Sequence, residues 1–129
     1  MDQIEVTKVV LDAFSRRDLP TILDHVEDDF ELNPLISVWQ RNYRGREGVE
    51  QWWHDVAEVW DEFAIEGTEF RRIDDQTLLV VVSWSGRATG GSVDLAGPGA
   101  ALVRFRGERP VSASVYVDEA SAVRAAAGD

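Results

Sequence analysis

Between Tyr43 and Trp60 the chain reads YRGREGVEQWWHDVAEVW, and in its middle His54 stands directly beside Asp55. An imidazole titrates near neutrality, and a neighbouring carboxylate raises its basicity, so such a pair is the material of general-base catalysis. The spacing argues against that use. With Val49 as origin and about 100° per residue, Trp53, Val56 and Trp60 fall within roughly 40° of one line, with Trp52 and Val59 beside them. Glu50, Gln51, Asp55 and Glu58 point away, and His54 lies roughly 140° from the apolar stripe. Residues adjacent in a helix do not face one another, so His54 is expected to be a solvated surface residue. His25, the other histidine, falls near the end of a shorter helix, where a cation is favoured by the helix dipole. Two histidines with no metal-ligand spacing argue against zinc. A carboxylate site for a hard cation would need a loop signature that is not seen. The sequence has no cysteine, which excludes disulfides, thiolate nucleophiles and thiolate-bound metals.

The elements that would carry any other site are bounded by composition. At 129 residues the chain is expected to be one domain, residues 1–129, large enough to need no disulfide or metal staple. A formal charge of −11 opposes binding to nucleic acid or to anionic membranes and is explained by solubility alone. The opening MDQIEV has neither a basic nor an apolar leader region, and the longest apolar run, Leu78 to Val82, is far short of a membrane span. These features predict a cytoplasmic protein.

Apolar residues at Val6, Val9, Val10, Ala13 and Phe14 predict a helix over Ile4–Arg17. Asp18 caps a second, with Leu19, Ile22, Leu23 and Val26 inward. Phe30 to Pro34 alternates as a short strand that the proline ends, and residues 35–44 form a long loop carrying Trp39 and Tyr43. Gly45 opens the central helix. Strands follow at Phe63–Ile73, Thr77–Arg87, Ser92–Arg106 and Val111–Val117, with Asp118 capping a last helix over Glu119–Ala127. Ala96-Gly97-Pro98-Gly99 predicts a bulge or kink within the third of these strands. Helices segregated to one side of a curved antiparallel sheet make an α+β domain.

The order of elements, together with the phrases VLDAFSRRDLPTILDHVEDDFELNP, YRGREGVEQWW, ATGGSV, VRFRGERPV and VYVDEASAVRAAAG, resembles the NTF2-like superfamily in its SnoaL-like branch. The likeness runs from Val10 to Ala127. It implies a cone-shaped, curved antiparallel sheet wrapped around helices, a cystatin-like α+β barrel, with a pocket between sheet and helices. It also implies a homodimer built on the sheet's outer face. The superfamily contains isomerases, cyclases, hydrolases and plain binding modules, so fold alone does not choose a function. The ketosteroid-isomerase pattern wants a carboxylate base, a tyrosine and a protonated aspartate. This chain has Asn33, Val10 and Ala101 in their places, which removes the base and both oxyanion donors. No convincing Arg-Asp-Asp set of the epoxide-hydrolase type is seen, and Arg87 and Asp94 make only a weak version of it.

By the same register Asn33, Val80, Val82 and Trp84 face inward, Trp39 and Tyr43 rim the mouth, and Tyr116 and Asp94 lie on bordering strands. Asp94 is the one acid to test as a catalyst, with Glu31 a lesser candidate. Asn33 and Tyr43 would orient a ligand. Two functions compete. The first is a pocket that binds a small hydrophobic molecule and transforms it, without cofactor or metal, by isomerase-, cyclase- or hydrolase-type chemistry. The second is a non-catalytic homodimeric module for ligand binding or protein interaction.

Overall fold

In the computed structural model, residues 2–33, 43–88, 90 and 94–127 are described, and for residues 56–60, 94 and 95 the backbone alone. Residues 35–42 of the expected loop, Trp39 among them, lie outside the described residues, while its last two residues, Tyr43 and Arg44, form a short strand. The elements run α1 (Gln3–Arg16), α2 (Leu19–His25), β1 (Glu31–Asn33), β2 (Tyr43–Arg44), α3 (Gly45–Val59), β3 (Trp60–Asp74), β4 (Thr77–Ala88), β5 (Asp94–Arg106), β6 (Arg109–Tyr116) and α4 (Glu119–Ala126). The strands form one curved, unclosed sheet in the order β2-β1-β6-β5-β4-β3. The α+β class expected from the sequence is what the molecule has. Among the described residues no helix is long and apolar enough to cross a membrane.

Each of α1, α2 and α4 begins where a side chain can satisfy its free backbone N–H groups. The Asp2 carboxylate accepts from Glu5 N at 2.8 Å, Asp118 from Ser121 N at 2.7 Å, and Asp18 from Thr21 N at 3.3 Å and from the Thr21 hydroxyl at 2.7 Å. These bonds favour the ionised form and hold all three carboxyls below the ordinary range: Glu5 and Ser121 backbone N–H groups for Asp2 and Asp118, the Thr21 hydroxyl first for Asp18. Gly45 starts α3 at φ +70°, a conformation a β-carbon disfavours, and donates its N–H to Phe30 O at 2.7 Å.

Three expectations are corrected. The AGPG segment does not bulge: β4 and β5 pair without a slip from Thr77↔Arg104 to Arg87↔Asp94. The irregularities fall instead in β3, between Trp60 and Glu62, Gly67 and Glu69, and Arg72 and Asp74, and in the pairing of β5 with β6 between Arg104 and Phe105. Pro98 lies beyond the last β5–β6 pair, Ala100↔Tyr116, where one side of β5 is open and a residue without N–H is accommodated. The sheet is not wholly antiparallel, because β1 pairs parallel with β6 from Glu31↔Ser112 to Asn33↔Ser114. Trp60, assigned by periodicity to the central helix, opens β3.

Alternation in β4 divides the core. Leu78, Val80 and Val82 pack with Ala101, Val103 and Phe105 on the face that α1 covers. Leu79 and Ala100 point to the other face, where Ala122 of α4 and Tyr116 meet them. A third group, including Phe14, Ile22, Phe30, Tyr43 and Trp52, joins the helices to β1 and β2.

Gln3 holds the far end of α1 against the sheet. Its buried amide donates from Nε2 to Asp75 O at 2.9 Å and to Gly107 O at 3.0 Å, joining the β3–β4 and β5–β6 turns. Gln3→Glu would aim an acceptor-only carboxylate at two carbonyl oxygens. We expect a loss of about 3 kcal/mol in urea denaturation, against about 1–2 kcal/mol for Gln3→Met. The gap between the two variants should narrow as pH falls through the carboxyl range, because the introduced carboxyl donates again once it is protonated. Equal losses at neutral pH would show that the amide does not act through its two bonds.

Candidate functional site

On α1, Thr7, Val10, Leu11 and Phe14 follow one another at helical spacing and face the sheet. The sheet answers with Ile65 of β3, Val80 and Trp84 of β4, Ala101 and Val103 of β5, and Ala113 and Val115 of β6. Phe30, Leu32, Trp52, Phe63 and Pro110 complete the walls. Together they enclose a chamber of about 130 Å³. The aromatic side is rigidly built. Trp52 meets Phe14 edge-on at 5.1 Å between ring centroids and Phe63 at 6.2 Å. Such edge-to-face pairs add about 0.5–1.5 kcal/mol beyond the area they bury.

None of the sixteen lining side chains titrates as an acid or base in the working range of an enzyme. The Thr7 hydroxyl donates to Gln3 O at 2.8 Å, so its hydrogen is already engaged. The described lining therefore supplies shape and apolar surface, not proton transfer. An apolar cavity of about 150 Å³ stays dry and takes up a benzene-sized molecule, whereas sites for drug-sized ligands run to about 300–1,000 Å³. This chamber belongs with the former.

The residues singled out from sequence separate in space. Trp84 and Val80 line the chamber, and Val82 is buried beside Val80. Val10 and Ala101, at the positions where an isomerase pattern would place its oxyanion donors, both line it as apolar side chains. Asn33 does not turn inward. Its neighbour Leu32 lines the chamber, so alternation sends Asn33 to the opposite face, where Nδ2 donates to Ser114 Oγ at 3.0 Å. Tyr116 also lies on that outer face, against Leu79, Ala100 and Ala122. Glu31 accepts from Arg44 at 2.9 Å in an ion pair on the surface. Asp94 opens β5 opposite Arg87, and its side chain is outside the described residues. His54 is exposed, as its helical angle predicts. His25 Nδ1 lies 2.7 Å from Thr21 O, one turn earlier in its own helix. Among the described residues no three His, Asp or Glu side chains converge as metal ligands.

Tyr43 is not at a rim. It is 3% exposed, and its hydroxyl donates to Asp55 Oδ2 at 2.5 Å. Gln51 Nε2 donates to the other carboxylate oxygen at 2.8 Å. Asp55, expected in water, is 9% exposed because β2 folds over that side of α3. Helical periodicity carries no signal for this contact, since its partner is outside the helix.

The SnoaL-like domain profile matches residues 7–113. The chain belongs to the SnoaL-like domain family. The matched span includes every lining residue except Val115. Solved structures with the same fold include an NTF2-like protein of unknown function from Burkholderia pseudomallei, 20% identical, with 96% of each chain covered and a TM-score of 0.80. A protein from Catenulispora acidiphila with a ketosteroid-isomerase-like fold, in complex with trimethylamine, is 18% identical over 93% of this chain and 90% of that one, with a TM-score of 0.76. TerC, co-crystallised with polyporic acid, is 14% identical over 95% of each chain, with a TM-score of 0.80. At these identities the likeness shows the fold. No curated protein matches the sequence.

Proposed function

We propose that this SnoaL-like domain binds one compact, neutral, apolar molecule of about single-ring size in the chamber beneath α1. The observation that carries the reading is a cavity of about 130 Å³ whose described lining contains no titratable group. Two similarly folded proteins hold unlike molecules, trimethylamine in one and polyporic acid in the other. The choice of ligand must therefore come from the cavity itself. Aromatic walls also suit a methylated ammonium ion, a second reading favoured by the trimethylamine in the Catenulispora protein. Among the described residues the lining offers no carboxylate to such a cation, and burial of an uncompensated charge costs more than the ring faces return. Binding without proton-transfer chemistry is favoured over isomerisation for the same reason: Val10 and Ala101 can neither donate to nor polarise a carbonyl.

Titration of the isotopically labelled protein with toluene tests the reading by NMR. Saturable shifts are expected at Val10, Val80, Ala101 and Ala113, with thermal stabilisation that grows with ligand concentration. Ala101→Phe, which fills the chamber, should abolish both. Tetramethylammonium should produce neither. The proposal fails if toluene gives no saturable shift, or if Ala101→Phe binds it unchanged.

A further inference from the structure

Trp84 is the bulkiest side chain that β4 contributes to the chamber, and Gly97 of β5 sets its position. The strand register places Trp84 opposite Gly97 and Val82 opposite Gly99. Directly opposed residues share a face, so a side chain at 97 would occupy the ground on which the indole lies. A β-carbon built on Gly97 would stand 3.2 Å from Trp84 Cζ2 and 3.2 Å from Nε1. One built on Gly99 would meet Tyr116 O at 3.2 Å and Val82 Cγ2 at 3.3 Å, and Trp84 Cδ1 only at 3.9 Å, an ordinary contact. The ring is therefore seated against β5 in space that a side chain at 97 would otherwise fill. Val10, Phe30, Val80 and Ala101 are buried, while Trp84 is half-buried, as are Leu11, Phe63, Ile65, Ala113 and Val115. The indole is the largest of these more accessible side chains around the chamber.

We infer that Trp84, seated on Gly97, is the specificity-determining residue that limits the chamber to a single-ring ligand. This rests on the apolar-ligand reading above and adds to it which residue sets the upper size. Shortening Trp84 extends the chamber along β4 and β5 towards a fused bicyclic hydrocarbon. A methyl group on Gly97 does the opposite. The contact it creates is tighter than an ordinary van der Waals approach, so the ring gives way by a few tenths of an ångström into a cavity with little room to lose.

The test compares toluene and naphthalene binding to the full chain by calorimetry and NMR. The unaltered protein is expected to prefer toluene at least tenfold. Trp84→Leu should abolish or reverse that preference, and Gly97→Ala should weaken toluene binding several-fold with the fold intact. If toluene binds but Trp84→Leu keeps the original preference, Trp84 does not set the size limit and the inference alone is overturned. If Trp84→Leu fails to fold, Gly97→Ala decides, and an unchanged toluene affinity in it overturns the inference. If toluene does not bind the unaltered protein, the apolar-ligand reading falls and takes this inference with it.

Discussion

Gly48→Ala is expected to lower stability by about 2–4 kcal/mol, or roughly 10 °C in thermal midpoint, although the same change in an ordinary helix stabilises by up to about 1 kcal/mol. The reversal is steric. A β-carbon at 48 would lie 2.6 Å from the carbonyl carbon of Tyr43 and 3.1 Å from its Cα. Both are backbone atoms, so no rotamer change relieves the overlap. Tyr43 cannot retreat cheaply either. It pairs with Leu32 across β1 and β2, is almost fully buried, and holds Asp55 through its hydroxyl. The added methyl group must therefore push β2 off α3. Urea denaturation measures the loss, with Glu50→Ala on the exposed side of the same helix as the control, expected within about 0.5 kcal/mol of the parent. A Gly48→Ala protein as stable as the parent would mean that α3 and β2 are not locked at this contact.

That contact also marks where sequence reasoning stops. The periods of single elements were legible. Val6, Val10, Ala13 and Phe14 announce the buried face of α1, and Val80, Val82 and Trp84 one face of β4, because burial repeats with the geometry of the backbone. Asp18 and Asp118 were legible as caps because a cap is local; Asp2, which caps α1, was not singled out. Asp55 was not. A helical wheel assumes water on the polar side, and here β2 covers it with a tyrosine hydroxyl. AGPG was misread because glycine has two physical uses, conformational freedom and close approach. Only the packing around β5 shows that Gly97 and Gly99 serve the second, Gly97 making room for Trp84 and Gly99 for Val82 and the Tyr116 carbonyl. Asn33 was turned inward by analogy with an isomerase base, against the plain alternation that puts Leu32 there. The chamber itself is invisible in composition, since a residue that packs solid core and one that borders a void are the same residue types.

The second large effect concerns the pair that joins β2 to α3. Tyr43→Phe removes one of the donors to a buried carboxylate and is expected to cost about 2 kcal/mol. Asp55→Leu leaves the Tyr43 hydroxyl and the Gln51 amide without their bonds to Asp55 and should cost about 2–3 kcal/mol. Made together, the changes remove donor and acceptor at once, so the double variant should lose little more than the worse single one. The cycle should return a coupling of about 1.5–3 kcal/mol. Additivity within about 0.5 kcal/mol would show that the 2.5 Å contact does not contribute as a unit. The clasp also bears on the chamber. Trp52 lies one turn before Asp55 on α3, and its ring meets Phe14 of α1 in the chamber wall. Loosening α3 at Asp55 shifts that wall, so Tyr43→Phe should weaken toluene binding several-fold. Glu50→Ala, on the same helix but facing water, should leave it unchanged. Unaltered toluene affinity in Tyr43→Phe would place the clasp in stability alone and free the chamber wall from it.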